Sequence, residues 1–113
     1  MSNHKDLISL RSITSVMFDR DNNELSQLRQ HEKRLRQLIA NLKIQPGNHE
    51  IGPAQMTGMD LRYHIWVDSK RKELNAELAL VLSKIETAKK QARSSFGKQQ
   101  AIAHLIKTGD HKS

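Results

Sequence analysis

The chain has 113 residues, of which 36% are hydrophobic and 4% aromatic, and carries a formal net charge of +7. That length suits one domain, but the apolar fraction falls below the roughly 45–50% usual for globular chains when glycine is counted, too little for a compact multilayer core. There is no cysteine, which excludes disulfides and thiolate metal sites.

Leu, Lys, Gln, Arg, Ala and Glu dominate, all strong helix formers. Residues 1–44 contain neither Pro nor Gly. Apolar residues recur at Leu7, Leu10, Ile13 and Met17, and again at Leu25, Leu28, Leu35, Ile39 and Leu42. With Glu32 as its one polar member, the second set alternates steps of three and four, the spacing of a coiled-coil seam. The stretch Asp19-Arg20-Asp21-Asn22-Asn23-Glu24 is polar throughout. The pattern predicts a first helix over about 5–44, continuous but locally frayed at 19–24.

Residues 45–58 read as a loop. Gln45-Pro46-Gly47-Asn48 is a stop signal, because Pro cannot continue a helix and Gly or Asn accepts the left-handed cap. Gly52-Pro53 follows, and Thr57-Gly58-Met59-Asp60 has the spacing of a capping box.

From Asp60 onward there is no Pro, and Gly97 is the only Gly before Gly109. A second seam runs Val67, Arg71, Leu74, Leu78, Val81, Ile85, Ala88, Ala92, Ser95, Gln99, Ile102 and Ile106, alternating four and three throughout. Leu82, Phe96 and Leu105 widen it. A second helix is expected over about 59–107, ending at Thr108-Gly109-Asp110, with a disordered tail at 108–113. Neither helix buries its stripe alone, and the loop is long enough for the second to fold back on the first. The expected fold class is all-α: two long helices in an antiparallel coiled-coil hairpin, a single domain over 1–113. Such a core is thin, which predicts modest stability alone and tightening on a partner.

The chain begins without a basic region followed by an apolar core, and no apolar stretch approaches the roughly 18 residues that span a bilayer. A cytoplasmic protein without a transmembrane segment is expected. His31, His64 and His104 have no second His at the i,i+3 or i,i+4 offsets that share a helical face, and His64 has only a carboxylate, Asp68, at i+4. No metal or cofactor is expected. No Ser or Thr sits in a nucleophile elbow, Gly97-Lys98 lacks the glycines of a phosphate loop, and two helices offer no water-excluding pocket. The chain reads as a non-enzymatic, protein-binding component.

Two clusters are candidate partner-binding sites. Leu61-Arg62-Tyr63-His64-Ile65-Trp66-Val67 holds the only Trp and the only Tyr. Arg62, Trp66 and Lys70 are successive i,i+4 neighbours, spacing that offers a cation–π stack. Tyr63 and Trp66 suit either packing onto Leu38 or Leu42 or an exposed anchor, since Trp, Tyr and Arg are enriched at binding hot spots. The second cluster is Lys89, Lys90 and Arg93, beside the small seam residues Ala88 and Ala92. It suits a solvated face or a docking surface for an acidic partner. Nucleic acid fits less well, for want of a recognised motif or interleaved aromatics.

A small, basic two-helix chain carrying Trp66-Val67-Asp68-Ser69-Lys70-Arg71, then Leu74 and Leu78, then Ala88, Ala92 and Phe96-Gly97-Lys98 resembles the stalk proteins of flagellar and type III secretion export ATPases (FliJ/YscO type). The resemblance covers nearly the whole chain as architecture. It departs from the family in its shorter length and in the polar stretch 19–24. The resemblance implies a hairpin whose end bearing both termini enters a hexameric export ATPase and which also contacts the export gate, at a membrane-bound export apparatus. Leu7 to Met17 against Ala88 to Ile106 would enter the ring, Lys89, Lys90 and Arg93 would face its subunits, and Trp66 would stay outside. The other readings are a coiled-coil adaptor or chaperone for an unrelated partner, as monomer or weak homodimer, and a basic nucleic-acid-associated protein.

Overall fold

The structure, a computed structural model, describes the backbone of residues 2–43 and 58–112 and the side chains of residues 4–42 and 60–109. Every described residue is helical: α1 is Ser2–Lys43 and α2 is Gly58–Lys112. The fold is thus the all-α, two-helix class expected. The anticipated loop lies outside the described residues except for Gly58, which opens α2. Asp60 stands in the first turn of α2, where a carboxylate complements the unsatisfied N–H groups of the helix start.

The helix ends differ from expectation. α1 starts at Ser2 rather than near residue 5, and it runs unbroken through 19–24. α2 continues past Thr108 and Gly109 to Lys112, so the tail expected to be disordered from 108 is helical as far as 112. Gly109 does not adopt the left-handed conformation of a terminating cap, and the Thr108 hydroxyl donates to the His104 carbonyl at 2.8 Å within the same turn. A glycine weakens a helix without forbidding it.

Gly97 makes the same point inside α2. It too has helical backbone angles, and an added Cβ would meet nothing within 4 Å. Gly97→Ala should therefore stabilise the protein by about 0.5–1 kcal/mol, through helix propensity and the smaller entropy of the unfolded chain. Urea unfolding followed by circular dichroism checks this.

The chain divides into two units, each made of a piece of both helices: unit 1 is Met1–Arg29 with Lys84–Ser113, and unit 2 is Gln30–Ser83. In unit 2 the seam is apolar. Leu35 and Ile39 of α1 and Val67, Leu74 and Val81 of α2 are buried, with Glu32, Leu42, Arg71 and Leu78 half-buried between them. Arg71 occupies a seam position by running its stem along the apolar surface while its guanidinium reaches Asp68 at 3.2 Å. On one flank His31 Nε2 lies 3.4 Å from Glu77 Oε1, a contact between the helices.

In unit 1 the seam mixes apolar residues with polar and small ones. α2 contributes Ile85, Ala88, Ser95 and Ile106 as buried residues, and α1 contributes Thr14 and Asp21. Leu7, Phe18, Leu25 and Leu28 are half-buried. Thr14 satisfies its hydroxyl locally, donating to the carbonyls of Leu10 (2.9 Å) and Arg11 (3.1 Å). Asp21 accepts a hydrogen bond from the Ser95 hydroxyl, which joins the two helices. Phe18 packs on Phe96 with ring centroids 5.5 Å apart and planes tilted by 46°.

The second seam lies where the spacing put it: all twelve of its positions are buried or half-buried. The first seam needs a correction. Leu10 and Ile13 are exposed, and the three-and-four spacing continues backward from Leu25 through Asp21, Phe18 and Thr14. Periodicity, not residue type, sets which side of this helix faces α2.

Candidate interaction surfaces

Unit 1 inverts the usual partition of side chains. While Thr14 and Asp21 are buried, Ile8, Leu10, Ile13 and Val16 are exposed, Ile13 at 55% and Val16 at 67%. At about 100° per residue, Ile8 falls roughly 120° to one side of the Thr14 position, Ile13 roughly 100° to the other, and Val16 roughly 160° away. Exposed apolar residues thus stand on more than one side of the first turns of α1, among the exposed polar residues Lys5, Asp6, Ser9, Arg11 and Ser12. Phe96 and Leu105 of α2 add exposed apolar surface in the same unit.

Beside this surface runs a polar groove of about 400 Å³, lined by Arg20, Asp21 and Glu24 of α1 and Ser94, Ser95 and Lys98 of α2. Its floor is the Asp21–Ser95 pair. The basic cluster belongs to unit 1 as well. Lys89 is half-buried and lies 3.3 Å from Glu86 within its own helix, so its charge is partly compensated. Lys90 and Arg93 are exposed. The sequence-predicted trio is therefore two outward bases and one ion-paired neighbour.

In unit 2, Tyr63 and Trp66 stack with centroids 6.2 Å apart and planes at 24°, and the His64 ring meets Tyr63 edge-on at 6.3 Å. Tyr63 is half-buried and Trp66 is 54% exposed. Of the two expected supports for the rings, Leu38 is exposed and Leu42 half-buried. The expected cation–π stack is replaced by this aromatic one: Tyr63 covers Trp66, and Lys70 turns to Glu73 at 3.6 Å. Arg62 is exposed on the preceding turn.

Among the described residues no group of three His, Cys, Asp or Glu side chains could hold a metal ion, and no helix is long and apolar enough to cross a membrane. The polar seam at Thr14 and Asp21 and the exposed Ile13 and Val16 were missed by the sequence reading. The signal that finds them is the heptad spacing carried backward from Leu25 without regard to residue type. No protein-family model, curated protein or solved structure matches the chain.

Proposed function

We propose that this chain is a non-enzymatic coiled-coil component that works by binding protein, with unit 1 enclosed by its partner. The observation that carries this is an apolar girdle in the first turns of α1, formed by the exposed Ile8, Leu10, Ile13 and Val16 among polar neighbours. The resemblance to export-ATPase stalk proteins supplies the partner: the ring of a flagellar or type III secretion export ATPase, with the export gate as a second contact. On this reading the protein works in the cytoplasm at a membrane-bound export apparatus. The girdle would lie against the ring's inner wall, with Lys90 and Arg93 meeting acidic positions there.

The test uses the purified export ATPase and the full chain. Ile13→Glu/Val16→Glu should weaken ring binding at least tenfold, because it places charge in a surface that must become dry. Lys90→Glu/Arg93→Glu should weaken it too, and more strongly at low salt. Both variants should keep their helical circular dichroism, since all four side chains are exposed in the free protein. Wild-type chain that does not bind the ring would sink the export reading. A second reading, a coiled-coil adaptor or chaperone for an unrelated partner, is favoured by the exposure of Trp66, and it predicts that variants at Trp66 rather than at Ile13 and Val16 lose the partner.

A further inference from the structure

Polar residues of the two seams differ in where their hydrogen bonds go. Thr14 donates to the Leu10 and Arg11 carbonyls at 2.9 and 3.1 Å. Glu32 accepts from Arg36 Nε at 2.9 Å, and Arg71 donates to Asp68 at 3.2 Å. Each of these bonds stays within one helix, so it would travel with that helix if the two slid past one another. Asp21 is different. Its buried carboxylate accepts from the buried Ser95 hydroxyl, which belongs to the other helix.

The apolar part of the seam discriminates poorly between registers. A slide of one heptad, about 10 Å, returns every seam position to a seam position of the same kind. In unit 2 it sets one aliphatic side chain against another, since Leu35, Ile39, Val67, Leu74 and Val81 are the buried hydrophobic members there. By its length in the sequence, the segment joining Lys43 to Gly58 can follow such a slide. The His31–Glu77 and Phe18–Phe96 contacts also change with register. Glu77 and Phe96 are exposed, however, and an ion pair or a ring left partly in solvent penalises a slide only weakly.

The Asp21 carboxylate penalises it strongly. Ala88 and Ile102 stand seven residues to either side of Ser95. A slide of one heptad in either direction therefore sets the carboxylate against a side chain without a donor. A buried charge deprived of its partner is strongly destabilising, even where the intact pair contributes little.

We propose that the Asp21–Ser95 hydrogen bond pins the axial register of α1 against α2. Its effect falls on the neighbouring registers, which it makes far worse than the native one, rather than on overall stability. One buried polar residue in an otherwise apolar seam is a known means of fixing register in a coiled coil, at a cost in stability. This explains a carboxylate at a position that an apolar side chain would fill more favourably. The pin also decides which residues of α2 lie beside the exposed girdle of α1, and it does so whatever partner the protein binds.

The chain has no cysteine, so nitroxide labels can be attached at Ser12→Cys and Lys90→Cys, two exposed positions. Double electron–electron resonance then reads their separation in the full chain. With Asp21 and Ser95 in place a single distance is expected, with slid registers below about one molecule in a hundred. Asp21→Leu/Ser95→Ala should raise the slid population at least tenfold, to about a tenth of the molecules or more, at a distance changed by up to about 10 Å. Asp21→Asn, whose amide still bonds the Ser95 hydroxyl, should keep the single distance. Variants are compared at equal ellipticity at 222 nm, which separates a slide from unfolding. A double variant that keeps the single wild-type distance would overturn the proposal, because the apolar seam would then set the register unaided. So would a second distance in the wild type, or one in Asp21→Asn as populated as in the double variant.

Discussion

Replacing Leu35 by alanine should lower the unfolding free energy by about 2–4 kcal/mol, the largest loss expected from any single truncation in this chain. Leu35 is 2% exposed and sits in the apolar seam of unit 2. Truncation removes the transfer free energy of its buried methyl groups and leaves a void that neighbouring helix backbones cannot collapse into. Native stabilities are small differences between large terms, so this loss is a large fraction of the total. Leu38, three residues on, is the internal control. It is exposed, and Leu38→Ala should cost less than about 1 kcal/mol. Urea unfolding followed at 222 nm measures both. Equal losses at the two positions would mean that the seam does not run through Leu35.

The second large effect has the opposite sign. Asp21→Leu combined with Ser95→Ala should stabilise the protein by about 1–3 kcal/mol. Asp21 is a buried carboxylate whose hydrogen-bond partner is a neutral hydroxyl. Desolvating a charge for one such bond is unfavourable, and replacing a buried polar cluster with apolar groups is often stabilising. The polar groove of about 400 Å³ beside the pair leaves room for the larger leucine side chain. Asp21→Leu alone should gain less, because it leaves the Ser95 hydroxyl, 4% exposed, without its acceptor. Thermal melts of the wild type, both single variants and the double variant give the cycle. A double variant less stable than wild type would show that the pair contributes more than its burial costs. A stabilised variant that binds its partner less well would show that the polar seam is kept for function rather than for stability.

Much of this architecture was legible in the sequence because a coiled-coil seam is a matter of spacing. Val67 to Ile106 could be counted off in steps of four and three, and each position faces inward, including Arg71 and Gln99, which are poor core residues by type. The seam of the first helix was legible only from Leu25 onward. Before it, hydrophobicity pointed at Leu10 and Ile13, whereas helix geometry buries Thr14 and Asp21. Residue type misled there because those apolar side chains face away from α2. The helix end at Gly109 was misread for a related reason: Gly marks a cap only when it takes the left-handed conformation, and here it does not. Of the candidate surfaces, Trp66 and its bases were legible as a local concentration of unusual residues. The girdle was not, because its members look like core in one dimension and become surface only once the seam is placed.

The composition of the two units also bears on the order in which the chain acquires its structure. Unit 2 is one contiguous segment, residues 30–83, whereas unit 1 unites the two ends of the chain, and its Asp21–Ser95 bond spans 74 residues. Closing a loop costs entropy that grows with its length, so unit 1 gains its contacts most cheaply after unit 2 has shortened the path between them. The apolar seam of unit 2 would then serve as the nucleus, and substitutions at Leu35 or Leu74 would slow folding. Substitutions around Asp21 would act on the unfolding rate. The half of the molecule with the polar members in its seam and the outward apolar girdle would form last and open first, so its apolar surface is the last to be set in place.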